Sequence, residues 1–416
     1  MITKQKGTYD IYGDLAKKRA YVNDVLAALC EKYNYGYIET PVFEASELFH
    51  RGVGESTDMV KKETYDFQDR GERSITLRPE GTAGVVRWFV ENKLYGNLTD
   101  PVKDFYNMKM YRYERPQSGR NREFTQWWFE CFGSDDVMSD AEVVSLAYNA
   151  YRLLGLDDIT IKINSLGDTE SRDNYRAALK EYFAPHIHEL CPDCQDRFER
   201  NPLRILDCKF DAGNEIITNA PKTLDYLNAE SKERFDKLLS MLDMMDINYE
   251  IDTNLVRGLD YYNHMVFEVV LNDSYALGGG GRYNGLVETL GGPSVPGVGF
   301  AMGYDRTILA MEENGVKIPI NDSIDVYVLY VSETEKETAS YLVQDLRLNG
   351  FITETDTMNK SLKAQFKSVD RYNSKYMIIL NDEDLKSNKI KIKDNKTKEE
   401  ELIGINDLVD YLDMHM

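Results

Sequence analysis

Apolar residues fall at Val22, Val25, Leu26 and Leu29 within Asp14–Tyr33, the three-and-four spacing of an amphipathic helix, and Gly36 predicts its end. YIETPVFE follows as a strand. Pro41 inside it removes a ladder donor, which predicts an edge or an interface. RSITLRPEGTAGVVRWFVENK reads as a strand, a turn at Pro79–Gly81 and a helix. Two strand-like runs bracket RYERPQSGRNREFTQWWFE (Arg112–Glu130), and a helix is predicted over Asp140–Leu154.

From about Asp168 to Tyr249 the pattern is helical, with Pro202 and Pro221 as punctuation, and predicts an inserted helical segment. Strand and glycine signals return in LVRGLDYYNHMVFEVVL, LGGGGRYNGLVETLGG and GVGFAMGYDRTILAMEEN. After Pro319, IDVYVLYV is a continuous β-branched run, ETASYLVQDLRLNG a helix with a glycine stop, and KYMIILN another buried strand. Strand, helix and strand in that order predict a small α/β domain with parallel pairing.

A chain of 416 residues exceeds one ordinary core, so two or three domains are expected. No run of about 18 uncharged apolar residues appears, and the start lacks a signal or transit pattern. Five cysteines spread over this length do not make a disulfide framework, so a cytoplasmic protein is expected. The net charge of −21 argues against bulk attraction to nucleic acid but allows a local basic face. Local density is high in Lys103–Arg122, Lys360–Lys375 and Lys386–Lys398; taken singly, such runs read as solvated faces.

The glycine-rich GVGFAMG (Gly297–Gly303) fails as a dinucleotide fingerprint, because Met302 occupies the third glycine position. The run Gly278–Gly281 reads either as a flexible turn or as backbone closely approached by a ligand. Cys191, Cys194 and Cys208 follow His186 and His188, but the spacing leaves no clean fourth zinc ligand. They are therefore expected to be ordinary packed or surface thiols, with metal binding open and no metal ligand assigned.

The Arg112–Glu130 hairpin carries more chemistry. Alternation places Arg112 with Glu114, and Gln126, Trp128 and Glu130 on one face of the returning strand. Arginine forks suit phosphate oxygens, Phe124 offers a plane for a purine, and Glu130 and Gln126 offer acceptors for an N–H. LVRGLDYYN adds Arg257, GYDRTILAM adds Arg306, and LRPEGTAG adds Glu80 and Thr82 at a strand-to-helix turn. There is no Ser/His/Asp set, no Cys–His pair and no P-loop. Such a set predicts chemistry by positioning and charge stabilisation, with the substrate supplying its own nucleophile.

At these residues the sequence resembles histidyl-tRNA synthetases, class II aminoacyl-tRNA synthetases. KGTYD, TPVFE, TLRPEGTA, RYERPQSGRNREFTQ, LVRGLDYYN, GGGGRYNGL and GFAMGYDR stand in the family's order across essentially the whole chain. The resemblance implies an α+β fold: a class II antiparallel sheet flanked by helices, a helical insertion and a C-terminal α/β anticodon-binding domain. The implied boundaries are 1–168 and 251–321 for the two parts of the catalytic domain, 169–250 for the insertion and 322–416 for the last domain.

It also implies a histidine–tRNA ligase that activates L-histidine with ATP and Mg2+ and charges tRNA(His), working as a homodimer without a tightly bound cofactor. By motif, Arg112 and Arg306 would hold ATP phosphates, with Glu114, Arg120 and Phe124 completing the nucleotide site. Arg257 would stabilise charge at the α-phosphate, so Arg257, Arg112 and Arg306 form the catalytic set. Glu80, Thr82, Arg112, Gln126, Glu130, Arg257, Tyr261, Tyr262 and Tyr283 would surround histidine. Arg115 and Gln117 would meet the tRNA acceptor end, and the lysine runs of the last domain its anticodon arm.

The chain departs from the family pattern at Lys6, Gly13, Met108–Lys109, Asp305 and Trp128. Trp128 stands between two of the histidine-facing side chains, and parity predicts its ring inward and that of Trp127 outward. The alternative readings are a catalytically inactive paralogue, namely the ATP phosphoribosyltransferase regulatory subunit, and a histidine or tRNA sensor using the same pocket.

Overall fold

The computed structural model describes residues 1–54, 57, 59–272 and 275–416. The chain divides into two compact units, Met1–Pro319 and Ile320–Met416. The first is built on strands β1 (Gly36–Tyr37), β2 (Phe43–Ala45), β3 (Tyr65–Gln68), β4 (Ser74–Leu77), β5 (Val102–Tyr111), β6 (Glu123–Phe132), β7 (Ile159–Ser165), β8 (Tyr249–Ile251), β9 (Asn263–Leu271), β10 (Tyr275–Arg282) and β11 (Gly297–Gly303). Its helices are α1 (Gly13–Lys32), α2 (Ser46–Val53), α3 (Thr82–Glu91), α4 (Val137–Leu153), α5 (Thr169–Phe183), α6 (Pro192–Arg200), α7 (Glu215–Thr218), α8 (Ala229–Met244), α9 (Leu286–Thr289) and α10 (Tyr304–Glu313).

Eight strands form one sheet in the order β1-β5-β6-β11-β10-β9-β7-β8. The pairings are antiparallel except at the two edges, β1 with β5 and β7 with β8. Strands β2, β4 and β3 make a separate small sheet. The TPVFE segment is thus not one strand: Pro41 lies between β1 and β2, because its missing N–H breaks the ladder there. The four-glycine run is not a turn; it occupies the middle of β10, paired on both sides.

Alternation along the long strands divides two apolar clusters between the faces of the sheet. On one face Phe105, Trp127, Phe129 and Cys131 pack with apolar residues of α1, α4, α8 and α10. On the other, Tyr106, Met108, Met110, Trp128 and Phe132 pack with residues of α3, α5 and the segment around α6. The two tryptophans follow this division: Trp127 stacks on Phe105 at 5.5 Å and Trp128 on Tyr106 at 5.7 Å. Side-chain caps start the helices that frame the sheet. Asp136 accepts from Met138 N at α4, Asp168 from Ser171 N at α5 and Asn228 from Ser231 N at α8.

The Arg282 side chain is fully buried at the end of β10. It donates to Asp140 Oδ1 (2.7 Å) and Ser139 Oγ (2.7 Å) in the first turn of α4. Asp140 also takes Arg234 from α8 at 2.8 Å. This buried network locks strand to helix, since without Asp140 the buried arginine would keep only the exposed Asp135 carboxylate at 3.5 Å.

The second unit holds β12 (Val326–Leu329), β13 (Thr353–Thr355), β14 (Tyr376–Ile379), β15 (Lys389–Asp394) and β16 (Glu400–Gly404), in the order β13-β12-β14-β15-β16. The first three are parallel, and β15 and β16 add an antiparallel hairpin. Helices α11 (Glu333–Leu348), α12 (Leu362–Arg371), α13 (Asp382–Lys386) and α14 (Leu408–His415) accompany them. A reciprocal capping box, Ser332 with Glu335, starts α11.

Candidate active site

Glu130 is the centre of a polar group on the Trp128 face of the large sheet. It is fully buried on β6 and accepts from Thr82 Oγ1 (2.7 Å), Tyr106 OH (3.1 Å) and the Tyr283 hydroxyl. Burial pushes its carboxyl up to about 8, against the three hydroxyl bonds that favour the charged form. Burial also raises the hydroxyls of Tyr106, Tyr261 and Tyr283, which keeps them protonated donors. Glu80 lies beside this group and is also buried. Its two oxygens accept from Thr82 N (2.9 Å) and Ala83 N (2.8 Å), so it serves as the cap that α3 otherwise lacks.

The β6–β11 register explains how this side of the sheet holds large polar groups. Gln126, Trp128 and Glu130 stand opposite Gly303, Ala301 and Gly299. Every inward side chain of β6 therefore faces a residue with little or no side chain. GVGFAMG is thus a strand with alternate small positions. Those small positions make room for the Trp128 indole, which shares the Glu130 face as parity predicts.

Arg257 comes from the loop between β8 and β9, and its Nη1 forms an ion pair with Glu268 on β9. Gly279 of β10 lies beneath it: a Cβ there would sit 2.6 Å from the Arg257 Cζ. This is where the glycine run is needed. Tyr261 and Tyr262 follow on the same loop, their rings 4.6 Å apart, and Tyr261 packs edge-on to Tyr283 at 5.7 Å. Gln126 Oε1, the Tyr261 hydroxyl and Arg257 Nε are buried and lack a partner in hydrogen-bond geometry among the described residues, although Thr82 and Tyr262 lie beside the Tyr261 hydroxyl. Buried polar atoms are normally satisfied, so the Gln126 oxygen and Arg257 Nε are groups that a polar ligand could pair with.

A second group lies toward the other end of β6. Arg112 donates Nε to Pro79 O (2.8 Å) and lies over the Phe124 ring at 5.1 Å. Burial lowers its guanidinium pKa. Glu114 lies between Arg112 (3.8 Å) and Arg120 (3.6 Å). Arg306, in the first turn of α10, donates to Ala276 O (3.1 Å) and Gly119 O (3.4 Å), tying the hairpin turn to β10. Arg115 and Gln117 are exposed on that turn, away from the buried groups. Phe124 and Glu130 lie six positions apart on β6, about 20 Å of strand. The two groups thus form one track along a single face.

Two polar partners, Tyr106 and Glu268, escaped the sequence reading, and a third, Asp305, appeared there only as a departure from the family pattern. Tyr106 is the third hydroxyl on Glu130, and its parity with Met108 and Met110 along β5 was the available signal. Glu268 interrupts the apolar run of β9, and a lone carboxylate in such a run signals a buried partner. Asp305 pairs with Arg19 of α1 and accepts from Thr125 N (3.0 Å), which fixes the start of α10 against β6. Outside this site, Cys191, Cys194 and Cys208 lie together, and Asp211 joins them, the fourth group that the sequence reading did not find.

In the second unit, Lys363, Lys367 and Arg371 are exposed at four-residue intervals along α12, one face of the helix. Other lysines of these runs are paired: Lys360 with Asp356 (3.5 Å), Lys375 with Asp325 (2.8 Å) and Lys393 with Glu400 (2.7 Å).

A large antiparallel sheet with arginines at one end of a polar face and a buried carboxylate pocket at the other is the architecture of class II aminoacyl-tRNA synthetases. A family model described as histidyl-tRNA synthetase matches residues 7–307, and one described as an anticodon binding domain matches residues 325–415. The chain belongs to the histidyl-tRNA synthetase family. The histidine–tRNA ligase of Geobacillus sp. (strain WCH70) is 48% identical over 413 residues, covering 98% of this chain and 97% of that protein. The crystal structure of apo Staphylococcus aureus histidyl-tRNA synthetase matches with a TM-score of 0.86 at 39% identity, over 99% of this chain and 100% of that one. A Bacillus halodurans structure titled as an ATP phosphoribosyltransferase regulatory subunit/histidyl-tRNA synthetase shares the fold, with a TM-score of 0.66 at 20% identity over 91% of this chain and 98% of that one. No helix among the described residues is long and apolar enough to cross a membrane.

Proposed function

We propose that this chain is a histidine–tRNA ligase whose two substrates of activation lie along β6, histidine at Glu130 and ATP at Arg112 and Phe124. The observation that carries the assignment is the Glu130 carboxyl with its three hydroxyl donors, on the strand face that also carries the unpaired Gln126 oxygen. An imidazole N–H entering this pocket meets an acceptor already oriented by Thr82, Tyr106 and Tyr283. A side chain without that N–H leaves buried polar groups unpaired, which is the strongest form of discrimination.

Glu80, Thr82, Tyr261, Tyr262 and Tyr283 enclose the amino acid, and Gln126 faces it. Adenine stacks on Phe124. Arg112 and Arg306 hold phosphates, with Glu114 and Arg120 completing the nucleotide site, and Mg2+ arrives with ATP as part of the substrate. The histidine carboxylate attacks the α-phosphorus in line, the new P–O bond forms and pyrophosphate leaves with its electron pair. Negative charge grows on the α-phosphoryl oxygens, where Arg257 stabilises it. Glu268 holds that guanidinium in place, so little reorganisation is needed at the moment of reaction. The ribose hydroxyl of the terminal adenosine of tRNA(His) then takes the histidyl group, guided by the exposed Arg115 and Gln117.

The exposed basic face of α12 serves the anticodon arm, and residues 322–416 form the anticodon-binding domain. The catalytic domain comprises 1–168 and 251–321, with 169–250 inserted. Exposed Tyr37, Val42, Phe43 and Phe67 around β1–β3 support a homodimer interface there. The enzyme works in the cytoplasm.

The test is histidine-dependent ATP–pyrophosphate exchange by the purified chain, followed by charging of tRNA(His). Histidine binding without exchange at saturating ATP would overturn the ligase reading and leave a sensor or an inactive paralogue.

A further inference from the structure

The helical segment before the Arg257 loop contains a repeated spacing. Cys191 and Cys194 are separated by two residues, as are Cys208 and Asp211. Cys191 caps α6 and Cys194 lies in its first turn. Cys208 and Asp211 follow the helical turn Pro202–Ile205. The fold brings the pairs together, and their four ligand atoms lie within 4.8 Å of one another. Cys191 Sγ is 3.6 Å from Cys208 Sγ, and Cys208 Sγ is 3.6 Å from Asp211 Oδ2.

We propose that Cys191, Cys194, Cys208 and Asp211 form a tetrahedral structural site for one Zn2+. Zinc–sulfur bonds of about 2.3 Å place tetrahedral sulfurs about 3.8 Å apart, so the observed spacing needs little adjustment. All three thiols are buried, which suits a closed site without an open coordination position. Soft thiolates select zinc over magnesium or calcium. The surrounding bonds already orient the ligands: Asp211 N donates to Cys208 Sγ (3.5 Å), and Cys191 N donates to Asp211 Oδ2 (3.0 Å). Binding replaces three S–H bonds with zinc–sulfur bonds and releases three protons to solvent. The other two cysteines, Cys30 and Cys131, lie in the core on the opposite face of the sheet and take no part.

The site closes the ends of the segment that supports the Arg257 loop. Between the two ligand pairs, Arg204 Nη1 donates to Arg257 O (3.0 Å) and Asn201 Nδ2 to Asp260 Oδ1 (2.9 Å). A cation at its ends fixes this brace.

The experiment measures metal in the full-length chain purified from zinc-supplemented cells without chelators. One zinc per chain is expected, lost to below a tenth in Cys194→Ser and in Asp211→Ala, and kept in Cys30→Ser. Replacement by Co2+ should give a thiolate-to-cobalt charge-transfer band and the strong visible bands of tetrahedral cobalt. Asp211→Cys keeps a full ligand set, so it should fold, retain one zinc and shift the cobalt bands. A folded wild-type chain that holds less than a tenth of a zinc after exposure to excess Zn2+ overturns the proposal. So does a Cys191–Cys208 disulfide in freshly isolated protein, or equal metal loss in Cys30→Ser. These readouts are independent of ligase activity.

Discussion

Gly299 stands directly opposite Glu130 across the β6–β11 ladder, and a methyl group on Gly299 would overlap the Glu130 carboxylate. The Glu130 acceptor thus keeps its place because β11 carries no side chain at this one position. Gly299→Ala should push Glu130 off its hydroxyl donors. Overpacking of this kind costs about 1–3 kcal/mol. Thermal unfolding should show that loss, and histidine-dependent exchange should fall at least tenfold. A variant with unchanged histidine KM would show that Glu130 does not bind the substrate.

Glu130→Gln keeps the shape but places an amide where the carboxylate stood. Loss of the carboxyl oxygen that accepts the imidazole N–H costs about 1–3 kcal/mol, so histidine KM should rise about five- to hundredfold while ATP KM stays near normal. The same variant tests the proton affinity. In the folded chain the Glu130 pKa is pushed up to about 8 from its ordinary value of 4.5. The folded state therefore holds a proton that the unfolded state releases between those values, and stability falls as pH rises from about 4.5 to 8. Denaturant titrations across that window should show a shallower decline for Glu130→Gln. Identical slopes would contradict the buried, proton-binding carboxyl.

Arg257 and Glu268 should separate charge stabilisation from positioning. Arg257→Ala should lower exchange by about 100- to 1,000-fold, the loss expected when a donor to developing charge is removed, with circular dichroism unchanged. Glu268→Gln keeps the arginine but weakens its anchor, so kcat should drop while both KM values move little. Equal effects on KM would place Glu268 in substrate binding instead.

Trp128 should behave as a packed ring rather than a ligand group. It is buried against Tyr106, and a large-to-small change there leaves a cavity. Trp128→Ala should destabilise by about 3–5 kcal/mol, whereas Trp128→Phe should keep the fold and most of the exchange activity. Gain of activity in the alanine variant would mean that the indole obstructs the pocket.

The Arg282–Asp140 pair predicts a purely structural defect. Asp140→Asn leaves the buried Arg282 with only the solvent-exposed Asp135 carboxylate at 3.5 Å and should cost about 3 kcal/mol. Catalytic constants measured on the remaining folded fraction should be close to wild type; a changed histidine KM would connect this pair to the pocket.

Several elements were legible in the sequence because their signals are local. The 3.6-residue period of α1, the strand-turn-helix of Ser74–Glu91 and the strand-helix-strand start of the second unit follow from side-chain spacing alone. Parity assigned Trp127 and Trp128 to opposite faces, since a strand has no other choice. The motifs around Arg112, Arg257 and Arg306 likewise named residues that the fold brings onto one sheet face.

Tertiary structure alone decided the register and the partners. Nothing local says that Gln126, Trp128 and Glu130 meet Gly303, Ala301 and Gly299, or that Gly279 makes room for Arg257. Those facts depend on which strands are neighbours and on one particular alignment of their ladders. The same holds for Glu268 against Arg257 and Asp211 beside three cysteines, each a contact between groups distant or irregularly spaced along the chain. Spacing fixes the face on which a side chain lies, whereas packing decides what stands opposite it. In this protein that difference separates a list of motif residues from a sheet face on which Glu130 gathers three hydroxyl donors.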